Sequence, residues 1–180
     1  MLGDGHLGIW AGLRNVYPDA KEQRCWNHRI VNALDKVPKR LQAHARRQLT
    51  QIHYAATQQE AERLKAGYQH WCRTQGLEAA ATVLDRDWER MVTFYQFPRE
   101  HWKHLRTSNV VESPFSRVRL RTTASRRFKS QVNATCLIWK TLMVAEMSFR
   151  KLDAPELVAK VVDGTQYEDG EEIQKDRDAA

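Results

Sequence analysis

The sequence predicts a mostly α-helical fold, and three observations carry that expectation. Apolar residues recur at three- and four-residue spacing through most of the 180 residues. Strand-like runs are scarce: only Glu22 to Trp26, between the Pro18-Asp19 turn and a new helical pattern, reads as a short strand. The chain's breakers also agree with the helical limits, as Pro18, Pro38, Gly76 and Pro98 each close one periodic stretch. An α/β domain normally offers several apolar runs, so the chain is either all-α or the C-terminal piece of an α/β protein.

The helices follow in order. Leu41, Ala45, Leu49 and Ile52 form one stripe, and Ala61, Leu64, Tyr68 and Trp71 a second. Leu77, Ala81, Leu84, Trp88, Met91 and Tyr95 form the longest stripe, expected as one helix that Pro98 ends. Val132, Cys136, Trp139, Met143 and Met147 give another, so Lys129 to Arg150 reads as one long buried helix. Pro155 suits the first turn of a short C-terminal helix. From Tyr167 onward the chain is acidic and nearly free of apolar residues, the pattern of a disordered tail.

Composition narrows the function classes. No stretch approaches the roughly 18 apolar residues of a membrane span, and no apolar h-region follows Met1. Membrane and secreted proteins are thereby excluded, and a cytoplasmic, DNA-associated protein is expected. The three cysteines (Cys25, Cys72, Cys136) are odd in number and far apart, which suits reduced thiols. The net charge of +7 is unevenly spread. Between His101 and Lys151 there are 11 basic residues against only Glu112 and Glu146. Arg117, Arg119, Arg121, Arg126, Arg127 and Lys129 concentrate that charge, with Lys103 and Arg106 upstream. A polyanion is the natural partner, because neutralising phosphates releases condensed counterions. A solvated helix face that serves only solubility is the alternative.

Three stretches could carry chemistry. Gly3-Asp4-Gly5-His6-Leu7-Gly8 places a carboxylate between two glycines before a helix, where a metal or substrate could approach. A plain helix N-cap is the other reading of Asp4. Cys25-Trp26-Asn27-His28 sets a thiol and an imidazole three residues apart. A zinc site needs a second such pair, and His70 and Cys72 point apart on a helix, so a core cysteine beside a hydrogen-bonding histidine is expected. Arg106-Thr107-Ser108-Asn109-Val110-Val111-Glu112 is the most informative. Asn109 and Glu112 fit a capping box, yet Glu112 is also the single carboxylate among the surrounding cations. Such a carboxylate either pairs with arginine or binds a divalent cation beside a phosphate backbone. Both readings stay open on the residues alone.

GDGHLGIW, then PDAKEQRCWNHRIVN, then LRTSNVVES with R-x-R-x-R-T after it, resembles the C-terminal part of bacterial Mutator-type insertion-sequence transposases, from Gly3 to about Arg150. The resemblance implies a ribonuclease-H-like α/β core, with few or no strands retained here, carrying a helical insertion. It implies an Asp-Asp-Glu (DDE) triad holding two Mg²⁺ (or Mn²⁺) ions. Asp4 corresponds to the second aspartate and Glu112 to the glutamate, and both would be catalytic metal ligands. Cys25 and His28 correspond to the family's C-x-x-H signature, with no role assigned. Arg106, Thr107 and Asn109 match the R-T-T-N stretch, with Ser108 as a departure.

The implied domains are a core remnant at 1–37, the insertion at 38–97, a return to the core at 98–152, and a short helix with acidic tail at 153–180. DNA contacts would come from Arg106, Asn109, Arg117, Arg119, Arg121, Arg126, Arg127 and Lys129. Transposon ends and target DNA are the implied partners, in a synaptic homo-oligomer. The family's first aspartate has no counterpart upstream of Asp4, so this chain is expected to be a truncated, inactive form, without a two-metal site of its own. The rival reading is a non-catalytic helical nucleic-acid-binding protein.

Overall fold

The computed structural model describes residues 1–174. Two compact units emerge, one formed by Met1–Thr107 together with the chain from Asp153 onward, the other by Ser108–Leu152.

The first unit opens with a parallel crossover. Strand β1 (Leu2–Gly3) leads into helix α1 (Leu7–Val16), and strand β2 (Gln23–Arg24) returns beside β1 in parallel register. Such a βαβ unit belongs to α/β architecture. Trp10 on α1 is buried against Gly3, where an added Cβ would lie 2.9 Å from its ring, so only glycine lets the helix seat this closely. The expected strand at Glu22 to Trp26 is therefore shorter than its pattern, and Trp26 already starts helix α2 (Trp26–Leu34). β1 itself is two residues long, too short to give periodicity.

The helical layer follows with α3 (Lys39–His53) and α4 (Gln58–Thr74), whose stripes bury Ala45, Leu49, Ile52, Ala61 and Tyr68 as the spacing predicts. Gly76, at φ +70°, ends α4, with Gly76 N–H donating to Arg73 O and Leu77 N–H to Cys72 O. That is the paired bonding of a Schellman cap. The longest stripe does form the core, but not as one helix. It breaks into α5 (Glu78–Ala81), a 3-10 segment (Thr82–Asp87), α6 (Trp88–Val92) and a further 3-10 segment (Thr93–Gln96). Asp85 is drawn to Lys65 and Gln69 on α4, while Asp87 turns to Arg29 on α2. Two carboxylates so close in sequence with partners on different helices favour the tighter winding.

His53 is buried in this core, stacked on Trp26 at 5.3 Å. Burial first, then the nearby Arg106 cation, hold its pKa down to about 4. The unfolded chain takes up that proton below about 6.5 whereas the folded one does not, so stability falls as pH drops from about 6.5 to about 4. The loss expected over the whole window is about 3 kcal/mol. Urea midpoints of the native protein and His53→Gln, taken between pH 7 and 4.5, check this: the variant's midpoint should vary less with pH.

The chain then passes through a 3-10 turn (Arg99–His101) and α7 (Trp102–Leu105). After the second unit it re-enters with α10 (Leu157–Val162) and a hairpin of β3 (Tyr167–Glu168) and β4 (Glu171–Glu172). The acidic tail is thus ordered as far as Gln174, contrary to the expectation of disorder; residues 175–180 lie outside the described residues. Asp169 and Gly170 form its turn, both at positive φ. Asp169 Oδ1 accepts Gln58 N–H at 2.7 Å, Gly170 N–H donates to Tyr95 O, and Tyr167 is buried. Charge composition missed these anchors because each joins the tail to a distant segment, through one carboxylate oxygen, a main-chain bond and one aromatic ring.

The second unit is a helical hairpin of α8 (Asn109–Ser125) and α9 (Gln131–Glu146). Pro114 sits inside α8, removing one ladder bond. The buried helix expected at Lys129 to Arg150 is corrected in two ways. It is shorter, and its apolar stripe faces outward, with Trp139 61% and Met147 88% exposed. The opposite face, with the small residues Ala134, Thr141 and Ala145, is the more buried one. No described helix is long and apolar enough to cross a membrane.

Candidate functional site

Asp4 follows β1 directly, at the carboxyl end of a parallel strand, where α/β sheets bind their ligands. The helix cap falls to His6 instead, whose Nδ1 accepts Gly8 N–H at 3.2 Å. Asp4 Oδ1 accepts His6 N–H at 3.0 Å, and the carboxylate stays exposed. The capping reading of Asp4 is thereby replaced by a turn that presents its oxygens to solvent.

Cys25 stands at the matching end of β2, its N–H donating to Gly3 O at 2.8 Å, and His28 lies on the first turn of α2. The two parallel strands therefore bring Asp4 and the C-x-x-H to one end of the sheet. Cys25 is fully buried and His28 half-buried.

Beneath this end lies a cluster of charges that sequence reading passed over. The Arg24 guanidinium rests on Gly5: a Cβ there would fall 0.5 Å from Arg24 Nη1. Gly5 also holds φ at +92°, so no other residue fits. Arg24 Nε lies 3.8 Å from Asp87 Oδ2, and Arg29 Nη2 pairs with the same oxygen. Arg90 bridges outward, with Nη1 3.3 Å from Asp87 Oδ1 and Nε 2.5 Å from Glu22 Oε2. Burial lowers the proton affinity of Arg24, against which the Asp4 and Cys25 charges pull upward. Arg29 falls to about 10, through burial and then repulsion by Arg24 and Arg86. Arg24, Arg29 and Arg90 thus share Asp87, Arg90 also reaches Glu22, and the Asp4 charge acts on Arg24. The signal available in the sequence was Arg24's place directly before the C-x-x-H.

Arg106, expected at DNA, is half-buried among groups of the first unit. Its Nη1 donates to His53 O at 2.9 Å, its Nε to Trp102 O at 3.3 Å, and the rings of Tyr54, Phe94 and Trp102 surround it. Arg106 thus joins α3, α7 and the 3-10 segment.

In the hairpin, Asn109 and Glu112 lie in the first turn of α8. The cap is Ser108 rather than Asn109 and makes no side-chain bond to the helix backbone, so the expected capping box is absent at Asn109; the Ser108 hydroxyl donates to Glu112 Oε1 instead. Glu112 and Asn109 are exposed. Arg117, Arg119, Arg121, Arg126, Arg127 and Lys129 are all exposed too. Arg117 and Arg121, four apart, share one face of α8, whereas Arg119 points away from them. Arg126 ends the helix at φ +53°, starting the loop that carries Arg127 and Lys129.

The carboxylates of Asp4 and Glu112 are hard oxygen donors open to solvent, the donor type that Mg²⁺ and Mn²⁺ take. Each is also oriented by one local hydrogen bond, from His6 N–H and Ser108 Oγ respectively. In donor chemistry they fit a divalent cation.

Comparison with known proteins agrees with the sequence motifs. The family model described as "Transposase, Mutator family" matches residues 1–151. The chain is 37% identical over 169 residues to the transposase for insertion sequence element IST2 of Acidithiobacillus ferrooxidans, covering 94% of the chain and 57% of that relative. It is 34% identical over 177 residues to the transposase for insertion sequence element IS6120 of Mycolicibacterium smegmatis, covering 98% of the chain and 54% of that relative. The chain spans little more than half the length of these relatives.

Proposed function

Because the chain belongs to the Mutator family of transposases, we propose that it acts in transposition of an insertion element, as part of a metal-dependent DNA cleavage and strand-transfer centre. The observation that carries this reading is the exposed Asp4 carboxylate at the carboxyl end of β1, in a βαβ unit of the kind a ribonuclease-H-like core is built from. Asp4 and Glu112 are the proposed metal ligands. Bound by them, Mg²⁺ or Mn²⁺ would supply positive charge to the attacking and leaving oxygens of an in-line phosphodiester displacement.

The chain's own residues have separate tasks in this reading. Gly5 and Arg24 hold the turn that aims Asp4. Ser108 orients Glu112 through its hydroxyl. Arg117 and Arg121, with Arg127 and Lys129 at the far end of α8, take the DNA backbone and fix its register without reading sequence. Asn109, exposed in the first turn of α8, is placed to join them. The DNA partners are the element's ends and its target, held by more than one protomer in the cytoplasm.

Transposition frequency of an element whose transposase contains this chain tests the reading. Asp4→Asn and Glu112→Gln should each lower it at least about a hundredfold, since even residues that only support metal ligands cost 10–100-fold when lost. DNA binding in a band-shift assay should persist. If Glu112→Gln transposes normally, the metal reading fails and the non-catalytic DNA-binding protein takes its place.

A further inference from the structure

The basic block on α8 has a counterpart in the first unit. No Asp or Glu occurs between Asp35 and Glu60, while Lys36, Lys39, Arg40, Arg46 and Arg47 do. Most other cations of the first unit are paired: Arg14 with Glu22, Arg63 with Glu60, Lys65 with Asp85, Arg73 with Glu78, Lys160 with Glu172. Among the described residues no carboxylate pairs with any of the five. Arg47 Nη2 instead lies 3.3 Å from the His44 ring.

These cations are also ordered in space. On α3 the buried side is Ala45, Leu49, Ile52 and His53. At 100° per residue Lys39, Arg40, Arg46 and Arg47 fall together on the opposite side, around Ala43 and Thr50, and all six are exposed. The pairs Lys39-Arg40 and Arg46-Arg47 are seven residues apart, about 10 Å along the axis at 1.5 Å per residue. A DNA major groove is about 12 Å wide. A helix lying across it could set one pair on each flanking strand, with the small Ala43 side chain between. Arginine's planar fork suits phosphate, and the hydroxyl of Thr50 is a further backbone donor. An acidic protein would call for aromatic or aliphatic anchors at the centre of its footprint, and this side of α3 offers none.

We propose that the exposed face of α3 is a second, sequence-independent docking surface for duplex DNA, separate from the α8 block. It shares with the reading above only the class of partner, and needs neither Asp4 nor Glu112.

The test is fluorescence anisotropy of the intact protein on mixed-sequence duplexes across a KCl series. The variant combines Lys39→Gln, Arg40→Gln, Arg46→Gln and Arg47→Gln. Each engaged cation contributes about 0.9 to the slope of log affinity against log salt, so the slope should shrink by about 3 to 4, equally for unrelated sequences. A parallel Arg117→Gln, Arg121→Gln variant reports on α8 independently. All replaced side chains are exposed, so circular dichroism and melting temperature should stay as in the native protein, which verifies folding. An unchanged slope and affinity in the α3 variant overturns the proposal, even if the α8 variant loses DNA. So does an α3 variant that keeps duplex binding but loses binding to polyglutamate, which would identify an acidic polypeptide as the partner.

Discussion

Replacing Asp87 by alanine is expected to cost about 3–5 kcal/mol of unfolding free energy, the usual penalty when one partner of a buried ion cluster is removed. Asp87 is the hub to which Arg29, Arg24 and Arg90 all converge, and its side chain is only 14% exposed. Without it, two buried guanidiniums repel each other with no counter-charge beneath them. Arg29, already lowered to about 10, would feel Arg24 and Arg86 unopposed. For a chain of this size the melting temperature should fall by roughly 6–20 °C. Asp85→Ala supplies the contrast. Its side chain, on the 3-10 segment, is 49% exposed and pairs with Lys65 on α4, so its loss should cost no more than about 1 kcal/mol. Equal effects from the two alanines, read in urea titrations, would mean that the buried arginines find other partners.

Gly5→Ala should destabilise by about 2–5 kcal/mol, combining left-handed backbone strain of roughly 1–2 kcal/mol with overpacking of about 1–3 kcal/mol. The steric part has a specific source in Arg24 Nη1, at 0.5 Å from the new Cβ. In an Arg24→Ala background that part should vanish, leaving only the backbone strain. A double-mutant cycle at positions 5 and 24 therefore should show coupling of about 1–3 kcal/mol. No coupling would mean that Arg24 does not rest on the turn that carries Asp4.

The helical layer was largely legible in the sequence because its stripes are packing rules written residue by residue. Leu49, Tyr68, Leu84 and Met91 are where their spacing puts them. What escaped was decided by contacts between distant segments. Nothing local shows that Asp85 and Asp87 turn to different helices and break the long stripe into 3-10 segments. β1 is too short to have a period, and the acidic tail folds back through bonds to distant residues, Gln58 and Tyr95 among them, that composition does not encode. α9 is the converse case. Its stripe is as regular as the others, yet Trp139 and Met147 remain exposed, because periodicity predicts a face and not the presence of something to cover it.

For the candidate site, the motifs located Asp4, Cys25, His28 and Glu112 as residue types worth weighing. They gave no hint that Arg106 packs against the rings of Tyr54, Phe94 and Trp102, since an arginine in a basic run reads as solvated whatever surrounds it. Gly5 and Arg24 were invisible for a related reason. Each is ordinary alone, and only their contact explains both.

The bond from Gln58 N–H to Asp169 spans 111 positions of the chain. During synthesis, α4 therefore leaves the ribosome with that first-turn donor open to water, and the layer it belongs to gains this last fastening only after more than a hundred further residues have emerged. Maturation of the helical layer is then paced by translation of its distal end, leaving an interval in which chaperones and proteases meet a nearly finished but unlatched intermediate.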